Sequence, residues 1–291
     1  MDTVLLSGFS DEIAPELDRQ LAAVQEWGLT HIELRAADGV NVSDFTPEKV
    51  KEVKTKLEAA GVAVSSIGSP IGKIGIRDEF APHLDKLKRT LEIQKELCAP
   101  YIRMFSFYLP QGEDPALYRN EVLDRMGRMV EEAKAWDSVL LHENEKGIYG
   151  DDAPRCKDLM DQFYGPYFQA VFDFANFIQV GQETLPAYEL LKPYIAYVHV
   201  KDALLDGGAV VPPGRGDGNL PAILTDLLES GWRGYLSLEP HLTDFAGLAA
   251  LEQNPQKRNS VLDGKSAWKL ALDSLRAILR EIPQAKGAAG L

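Results

Sequence analysis

Short apolar segments alternate with amphipathic segments along nearly the whole chain. Eight of the apolar segments have the length of a β-strand, and several are apolar at successive positions rather than at every second position. An uninterrupted apolar run is typical of a strand that is buried on both faces. We therefore predict eight buried strands, at residues 4–9, 31–34, 62–67, 101–105, 139–142, 170–174, 195–200 and 235–238.

The segments between these strands have the periodicity of amphipathic helices. In the first of them Leu17, Leu21 and Val24 recur at intervals of three or four residues, which places them on one helix face. The next segment has Thr46 as a candidate N-cap and ends before Gly61. We predict helices at residues 15–27, 47–60, 79–97, 116–135, 158–163, 184–192, 220–230 and 262–282.

The repeated order of strand and then helix indicates a parallel sheet, because parallel strands need a crossover connection. Eight such units in one unbroken series most naturally close into a (β/α)8 TIM barrel of the α/β class. The alternative is an open doubly wound sheet, but no glycine-rich phosphate loop follows the first strand. Since no linker divides the chain, we predict a single barrel domain at residues 1–283 and a flexible C-terminal tail at 284–291.

The composition of the 291 residues excludes several classes of partner. Lysine and arginine number 31 and aspartate and glutamate 44, so the net charge is −13. Nucleic acids and anionic membrane surfaces need a basic partner, and we expect neither. Two cysteines without metal-binding spacing rule out a disulfide framework, and no basic segment of a secretion signal stands at the N-terminus. We therefore expect a cytoplasmic protein.

Polar side chains end four successive predicted strands. They are Glu143, Asp173, His199 and Glu239, and each is separated from the next by about one strand–helix unit. In a TIM barrel the C-terminal ends of all strands face one mouth, where the chemistry of such enzymes takes place. We therefore expect three carboxylates and one imidazole to meet in a single pocket.

This donor set favours a metal site. Three carboxylates in one pocket would raise one another's pKa by repulsion, and a divalent cation resolves that conflict. Oxygen ligands with one imidazole favour Mn²⁺, Mg²⁺ or Co²⁺, while Zn²⁺ and Fe²⁺ remain open. Taken singly, each residue has the simpler interpretation of a loop side chain that forms hydrogen bonds. Their recurrence on four consecutive units favours the metal.

Five motifs carry a resemblance to a known family. They are HENE at 142–145, DFAN at 173–176, HVKD at 199–202, PGRGDG at 213–218 and LEPH at 238–241. In this order and at this spacing they resemble the xylose-isomerase-like TIM-barrel superfamily. That superfamily includes sugar phosphate isomerases and epimerases and also endonuclease IV-like repair enzymes. The resemblance covers nearly the whole chain, and it does not specify a substrate.

The resemblance implies one divalent metal ion held by Glu143, Asp173, His199 and Glu239. It also implies that Glu143 and Glu239 are catalytic and exchange a substrate proton next to a carbonyl, through a metal-bound enediolate. Return of the proton to the other face of the same carbon gives epimerisation, and return to the neighbouring carbon gives aldose–ketose isomerisation. Glu145 competes with Glu143 as the first ligand. We prefer Glu143, which matches the family position, and expect Glu145 to contact the substrate.

Other polar residues near the strand ends are candidates for substrate binding. Glu33 ends the second strand, where the resemblance suggests a pocket role, and Lys73 follows the third strand, where it could form a lid contact. Arg103 lies within the fourth strand, where an unpaired charge is costly, so we expect it to pair with Glu33 or Glu143. Asn176 is equally compatible with substrate contact and with loop capping.

Two further candidates belong to the seventh strand and the loop beyond it. Lys201 closely follows His199, and we expect it to point away from the face of His199 if the strand continues. Arg215 lies in a loop rich in glycine and proline, where it could bind a sugar hydroxyl or a phosphate or simply be solvated. The full set of expected substrate contacts is Glu33, Lys73, Arg103, Glu145, Asn176, Lys201 and Arg215.

The pocket and the resemblance favour a metal-dependent isomerase or epimerase of a sugar, a sugar phosphate or a related polyol. The first alternative is a lyase or dehydratase of a keto-cyclitol or an oxidised sugar, with the same proton abstraction followed by loss of a leaving group. A more remote alternative is a non-catalytic barrel that binds a carbohydrate. We expect a small carbohydrate as the partner and leave open whether the chain forms a homo-oligomer.

The repair branch of the superfamily is disfavoured. Its site needs several additional histidines, whereas this chain has five histidines in all, and Asn176 stands where that branch has a histidine ligand. The net charge of −13 also opposes binding to DNA.

Overall fold

The computed structural model describes residues 4–245 and 262–287. Eight strands, β1 to β8, are Leu5–Gly8, His31–Leu34, Ala63–Ile67, Tyr101–Met104, Val139–Glu143, Phe168–Asp173, Ile195–Val200 and Tyr235–Leu238. They are parallel and form one sheet in the order β1-β8-β7-β6-β5-β4-β3-β2. A bridge between Phe9 and Glu33 joins β1 to β2, so the sheet closes on itself. The predicted TIM barrel is confirmed.

Helices follow the strands and surround the barrel. Within the described residues, α1 to α9 are Leu17–Glu26, Pro47–Ala60, Ala81–Glu96, Arg119–Ala135, Ala153–Phe163, Phe174–Gln179, Thr184–Leu191, Leu220–Glu229 and Gly264–Arg280. The caps predicted for α2 are confirmed, because the Thr46 side chain accepts a hydrogen bond from Lys49 N and Gly61 adopts the left-handed conformation.

Two helix predictions need correction. The fifth helix begins at Ala153 rather than at 158, because the Asp152 side chain caps it by accepting a hydrogen bond from Arg155 N and a proline occupies its first turn. The short helix α6 was not predicted. It starts directly after β6, where Asp173 Oδ1 accepts a hydrogen bond from Asn176 N at 2.8 Å.

Short elements complete the described chain. The two-residue strands Ala36–Ala37 and Val40–Asn41 form one hairpin, and Asp202–Ala203 pairs with Val210–Val211 in another. At the C-terminal end a 3₁₀ helix spans Pro283–Ala285, with Ala285 buried, and residues 288–291 of the predicted tail lie outside the described residues. None of the described helices is both long and apolar enough to cross a membrane.

The hydrophobic core has two main parts, and a small third cluster consists of Ala175, Ile178 and Ala203. The larger part lies between the sheet and the helices, where Trp268 of α9 stacks on Trp27 at a centroid distance of 5.1 Å. Trp268 Nε1 also donates a hydrogen bond to Phe9 O at 3.1 Å, which ties α9 to the end of β1. The smaller part fills the interior near the N-terminal ends of the strands, and consists of Leu141, Val171, Tyr197 and Tyr235. The polar residues of the interior are therefore concentrated toward the C-terminal end.

The loops after β3, β4 and β5 are joined to one another by backbone hydrogen bonds. Ile76 N donates to Tyr108 O at 2.9 Å, and Leu109 N donates to Gly147 O at 2.9 Å. Gly72 has φ of 90°, and a Cβ atom there would lie 1.9 Å from Phe105 O, so only glycine fits this approach. These three loops, which we call the joined wall, form one side of the barrel mouth.

Candidate metal and catalytic centre

Four ligand-type side chains converge at the C-terminal end of the barrel. Glu143 and Asp173 are the last residues of β5 and β6, His199 is the penultimate residue of β7, and Glu239 directly follows β8. All four are buried, and each offers one ligand atom within 4.8 Å of the others. The sequence prediction that these residues meet in one pocket agrees with this geometry.

The donor set fits a divalent metal ion. His199 Nδ1 is buried and has no hydrogen-bond partner within residues 4–245 and 262–287, whereas Asp173 Oδ2 pairs with Lys201 Nζ at 3.0 Å. His199 Nδ1 lies 3.0 Å from Glu143 Oε1 and 3.8 Å from Glu239 Oε2, so atoms with lone pairs face one another. An unpartnered buried nitrogen is costly, and a cation shared with the carboxylates would satisfy it.

The pKa shifts in this cluster show that a bound positive charge stabilises it. Burial raises the pKa of Asp173 to about 7, with a further rise from Glu143 and Glu239 that Lys201 opposes. Burial lowers the pKa of His199, but Glu143 and Glu33 outweigh it and raise this pKa to about 10. The cluster therefore holds a proton strongly when no other cation is bound, and a metal ion would have to displace that proton.

Glu33 lies behind His199 rather than on the cavity surface. Its Oε2 atom is 3.0 Å from His199 Nε2 and accepts a hydrogen bond from Ser237 Oγ at 2.6 Å. Burial alone would raise the pKa of Glu33, but His199, Arg103 and Ser237 hold it below its ordinary value. An ionised Glu33 keeps the imidazole proton on Nε2, so Nδ1 is the atom that faces the ligand group. Glu33 therefore orients His199 and is not part of the cavity surface.

Lys201 lies between two of the ligand carboxylates. Its Nζ atom is 2.9 Å from Glu239 Oε2 and 3.0 Å from Asp173 Oδ2, and the side chain is buried. The expectation that Lys201 points away from His199 was wrong, because residues two apart on an extended chain lie on the same side. Lys201 therefore partly neutralises the ligand group.

Arg103 and Asn176 surround Glu143. Arg103 Nη1 donates to Glu143 Oε2 at 3.1 Å and lies 3.9 Å from Glu239 Oε1, so the guanidinium stands beside both expected proton-exchanging carboxylates. Asn176 Nδ2 donates to Glu143 Oε1 at 3.2 Å and to Asn144 O at 2.8 Å. The predicted pair of Arg103 with Glu143 is thus present, and Asn176, which lies in helix α6, fixes the positions of the Glu143 carboxylate and the Asn144 carbonyl.

A polar cavity opens beside this centre. Glu145 lies on its wall, where its Oε2 atom accepts a hydrogen bond from Lys73 Nζ at 2.8 Å. Burial alone would raise the pKa of Glu145, but Lys73, Lys201 and Lys146 lower it to about 2. Glu145 lies outside the ligand group, which agrees with the preference for Glu143. The cavity is lined by Lys73, Arg103, Glu145, Lys146, Asn176, Gln179, Lys201, Glu239 and His241.

The glycine-rich loop holds Asp202 and does not bring Arg215 to the cavity. Asp202 Oδ2 accepts hydrogen bonds from Gly214 N and Gly216 N at 2.9 Å, and Oδ1 accepts one from Gly218 N at 3.0 Å. A Cβ at Gly216 would lie 2.4 Å from Asp202 Oδ1. Arg215 itself is exposed and is not among the cavity residues. The loop therefore anchors the segment after β7, and the structure does not place Arg215 with the other candidates.

Sequence reasoning missed an ionic network behind Glu239. Arg35 Nη1 donates to Glu239 Oε1 at 3.2 Å, and Arg35 also pairs with Asp11 at 2.8 Å and with Glu12 at 3.2 Å. His241 Nε2 lies 3.2 Å from Glu239 Oε1. A signal was present for Arg35, which stands two residues after Glu33 at the end of β2, where alternation places both on one side. No local signal connects residues 11 and 12 with residue 239.

The chain belongs to the xylose isomerase-like TIM barrel family, whose model matches residues 21–278. No curated protein shows significant sequence similarity to it. Among solved structures, the zinc-binding IOLI protein is 16% identical with a TM-score of 0.75, over 96% of this chain and 99% of that one.

Two enzymes have the same fold. The 3-keto-D-glucoside 4-epimerase of E. coli is 15% identical with a TM-score of 0.67, over 96% of this chain and 99% of that one. The probable 3-DHS dehydratase from Bacillus anthracis is 17% identical with a TM-score of 0.68, over 93% of this chain and 98% of that one. At these identities the likeness establishes the fold.

Proposed function

We propose that this protein is a metal-dependent isomerase or epimerase of a small carbohydrate. The observation that carries the proposal is the pair Glu143 and Glu239, which lie in one buried ligand group beside a polar cavity. The epimerase and the zinc-binding protein with the same fold support this assignment.

Glu143, Asp173, His199 and Glu239 would hold the metal ion. A divalent ion there supplies Lewis acidity that polarises a substrate carbonyl and acidifies the neighbouring C–H bond. Glu143 and Glu239 are the residues we assign to removing and returning that proton. Arg103 stands beside both carboxylates and stabilises their charge, while Lys201 adds positive charge where negative charge develops on the substrate.

Isotope exchange tests the proposal. Ketoses and ketose acids are incubated in deuterated water with the protein and Mn²⁺, and deuterium is expected next to the carbonyl, with none after treatment with a chelator. Glu143→Gln and Glu239→Gln should each lower the exchange rate by about 10²–10⁴-fold. Glu131→Gln, on the exposed side of α4, is the matched control and should leave the rate unchanged. Exchange that persists in both cavity variants would refute the assignment.

Product analysis separates the two reactions that share this proton abstraction. A changed stereocentre or a shifted carbonyl indicates epimerisation or isomerisation. Loss of water would instead indicate a dehydratase, the activity named for the Bacillus anthracis relative. The choice of metal ion and a cytoplasmic location stay predictions, and the oligomeric state stays open.

A further inference from the structure

The cations around the cavity differ in one respect, which is whether a carboxylate of the chain already pairs with them. Lys73 pairs with Glu145 at 2.8 Å, and Arg103 pairs with Glu143 at 3.1 Å. Lys201 pairs with Asp173 and Glu239. The fourth cation, Lys146, lines the cavity and is half-buried, and its ammonium group forms no ion pair in the part of the chain that the structure describes.

The carboxylate nearest in sequence, Glu145, pairs with other groups of the chain. Glu145 Oε2 accepts from Lys73 Nζ at 2.8 Å, and Oε1 accepts from the backbone N–H of Lys146 at 2.9 Å. Glu145 therefore neutralises Lys73 and fixes the backbone at residue 146, and in the described part of the chain it forms no direct ion pair with the Lys146 ammonium group.

A second donor beside the cavity also lacks an acceptor. Arg103 is 3% exposed, and its Nε atom has no hydrogen-bond partner among the residues of the described ranges. A buried charged donor without an acceptor is costly unless a ligand supplies one. Arg103 and Lys201 are balanced by Glu143, Asp173 and Glu239, and Lys73 is balanced by Glu145. Among the cavity-lining side chains of the described ranges, Lys146 is therefore the cation without a carboxylate partner.

We propose that the substrate is an anion, a carbohydrate with a carboxylate or phosphate group that binds Lys146 in the cavity beside the metal-ligand group. This inference rests on the proposed function, because it names the class of substrate for that same site. It makes Lys146 a specificity-determining residue, since an anionic group there replaces water around the ammonium with a charge-assisted contact. A neutral sugar would leave the ammonium without a counter-charge.

Binding of matched probes tests the inference without turnover. D-Gluconate, D-glucitol 6-phosphate and the neutral D-glucitol share one carbon skeleton and differ in the terminal group. Their affinities for the Mn²⁺-loaded full chain are measured by calorimetry. We expect at least one of the two anions to bind about tenfold or more tightly than glucitol, and the better anion identifies the group as carboxylate or phosphate.

Variants of Lys146 decide whether the preference arises there. Lys146→Gln should reduce the preference to about twofold, Lys146→Arg should largely restore it, and Lys51→Gln on the exposed face of α2 should not change it. A preference that survives in Lys146→Gln means that the anion binds the metal instead and overturns the inference. Equal affinity for all three probes, or no binding of either anion, also overturns it. Because no reaction is needed, these outcomes are independent of the isotope exchange that tests the proposed function.

Discussion

Replacing Glu33 by glutamine tests whether the residue behind His199 controls metal binding. Glu33 is fully buried, lies 3.0 Å from His199 Nε2 and accepts from Ser237 Oγ at 2.6 Å. An ionised carboxylate only accepts hydrogen bonds, so it keeps the imidazole proton on Nε2 and leaves the Nδ1 lone pair toward the ligand group. The glutamine amide can donate to Nε2 instead. The proton then moves to Nδ1 and blocks the ligand atom.

The size of the effect follows from this single contact. Loss of a partner behind a metal-ligating histidine typically lowers metal affinity by about 10- to 100-fold, which corresponds to about 1.4–2.7 kcal/mol. We expect the Glu33→Gln variant in the upper half of that range, because the lost contact is charge-assisted and both side chains are fully buried.

Chelator competition with Mn²⁺ and Zn²⁺ gives the affinities of the wild-type and variant proteins, and the melting temperature of the metal-free proteins confirms that both fold. Ser237→Ala is the matched control, because it removes the other hydrogen bond of Glu33 without moving the imidazole proton. The Ser237→Ala change should lower the metal affinity by less than about fivefold. The reasoning is refuted if Glu33→Gln binds metal within twofold of the wild type, or if Ser237→Ala weakens binding equally.

Two further predictions concern stability. Gly72→Ala should lower the free energy of unfolding in urea by more than about 3 kcal/mol, because the new methyl group meets Phe105 O and φ is positive. Gly28→Ala is the control, because φ there is also positive but the space is open, and it should cost only about 1–2 kcal/mol. Equal losses in the two variants would show that no clash occurs at Gly72. Burial lowers the pKa of His83 to about 4, from an ordinary value of 6.5, so the unfolded chain takes up a proton first as the pH falls and folding becomes less favourable. Between about pH 7 and about pH 5 this should cost up to about 2 kcal/mol, and His83→Gln, which retains an acceptor for Gly72 N, should remove that part of the pH dependence.

The barrel and its ligand group were predictable because both depend on patterns that are regular along the chain. The strands are buried on both faces, and several of them therefore appear as apolar runs, while the ends of parallel strands share one edge of the barrel. Glu143, Asp173, His199 and Glu239 could be placed together from their spacing alone. The side of a strand on which a residue lies follows from alternation, and Lys201 was misplaced because that rule was applied incorrectly.

The rest of the site depends on contacts that have no regular spacing. Arg35 joins Asp11, Glu12 and Glu239, and the last of these is 204 residues away from it in sequence. The glycine-rich loop indicated close backbone approach to a ligand, but what it approaches is the carboxylate of Asp202. A sequence can indicate that a loop encloses an anion, whereas only the fold shows that the anion belongs to the chain itself.

The joined wall has a consequence for how the cavity opens. Its three loops come from three consecutive strand–helix units, and the backbone bonds among Gly72, Ile76, Tyr108 and Gly147 link them into one network. Breaking one of these bonds removes support from the others, so the wall behaves as one cooperative unit of local unfolding rather than as three separate loops. Lys73, Arg103 and Glu145 lie on or next to these loops. The charged groups on this wall are therefore in position before a substrate binds. They lose their positions only when the whole wall unfolds.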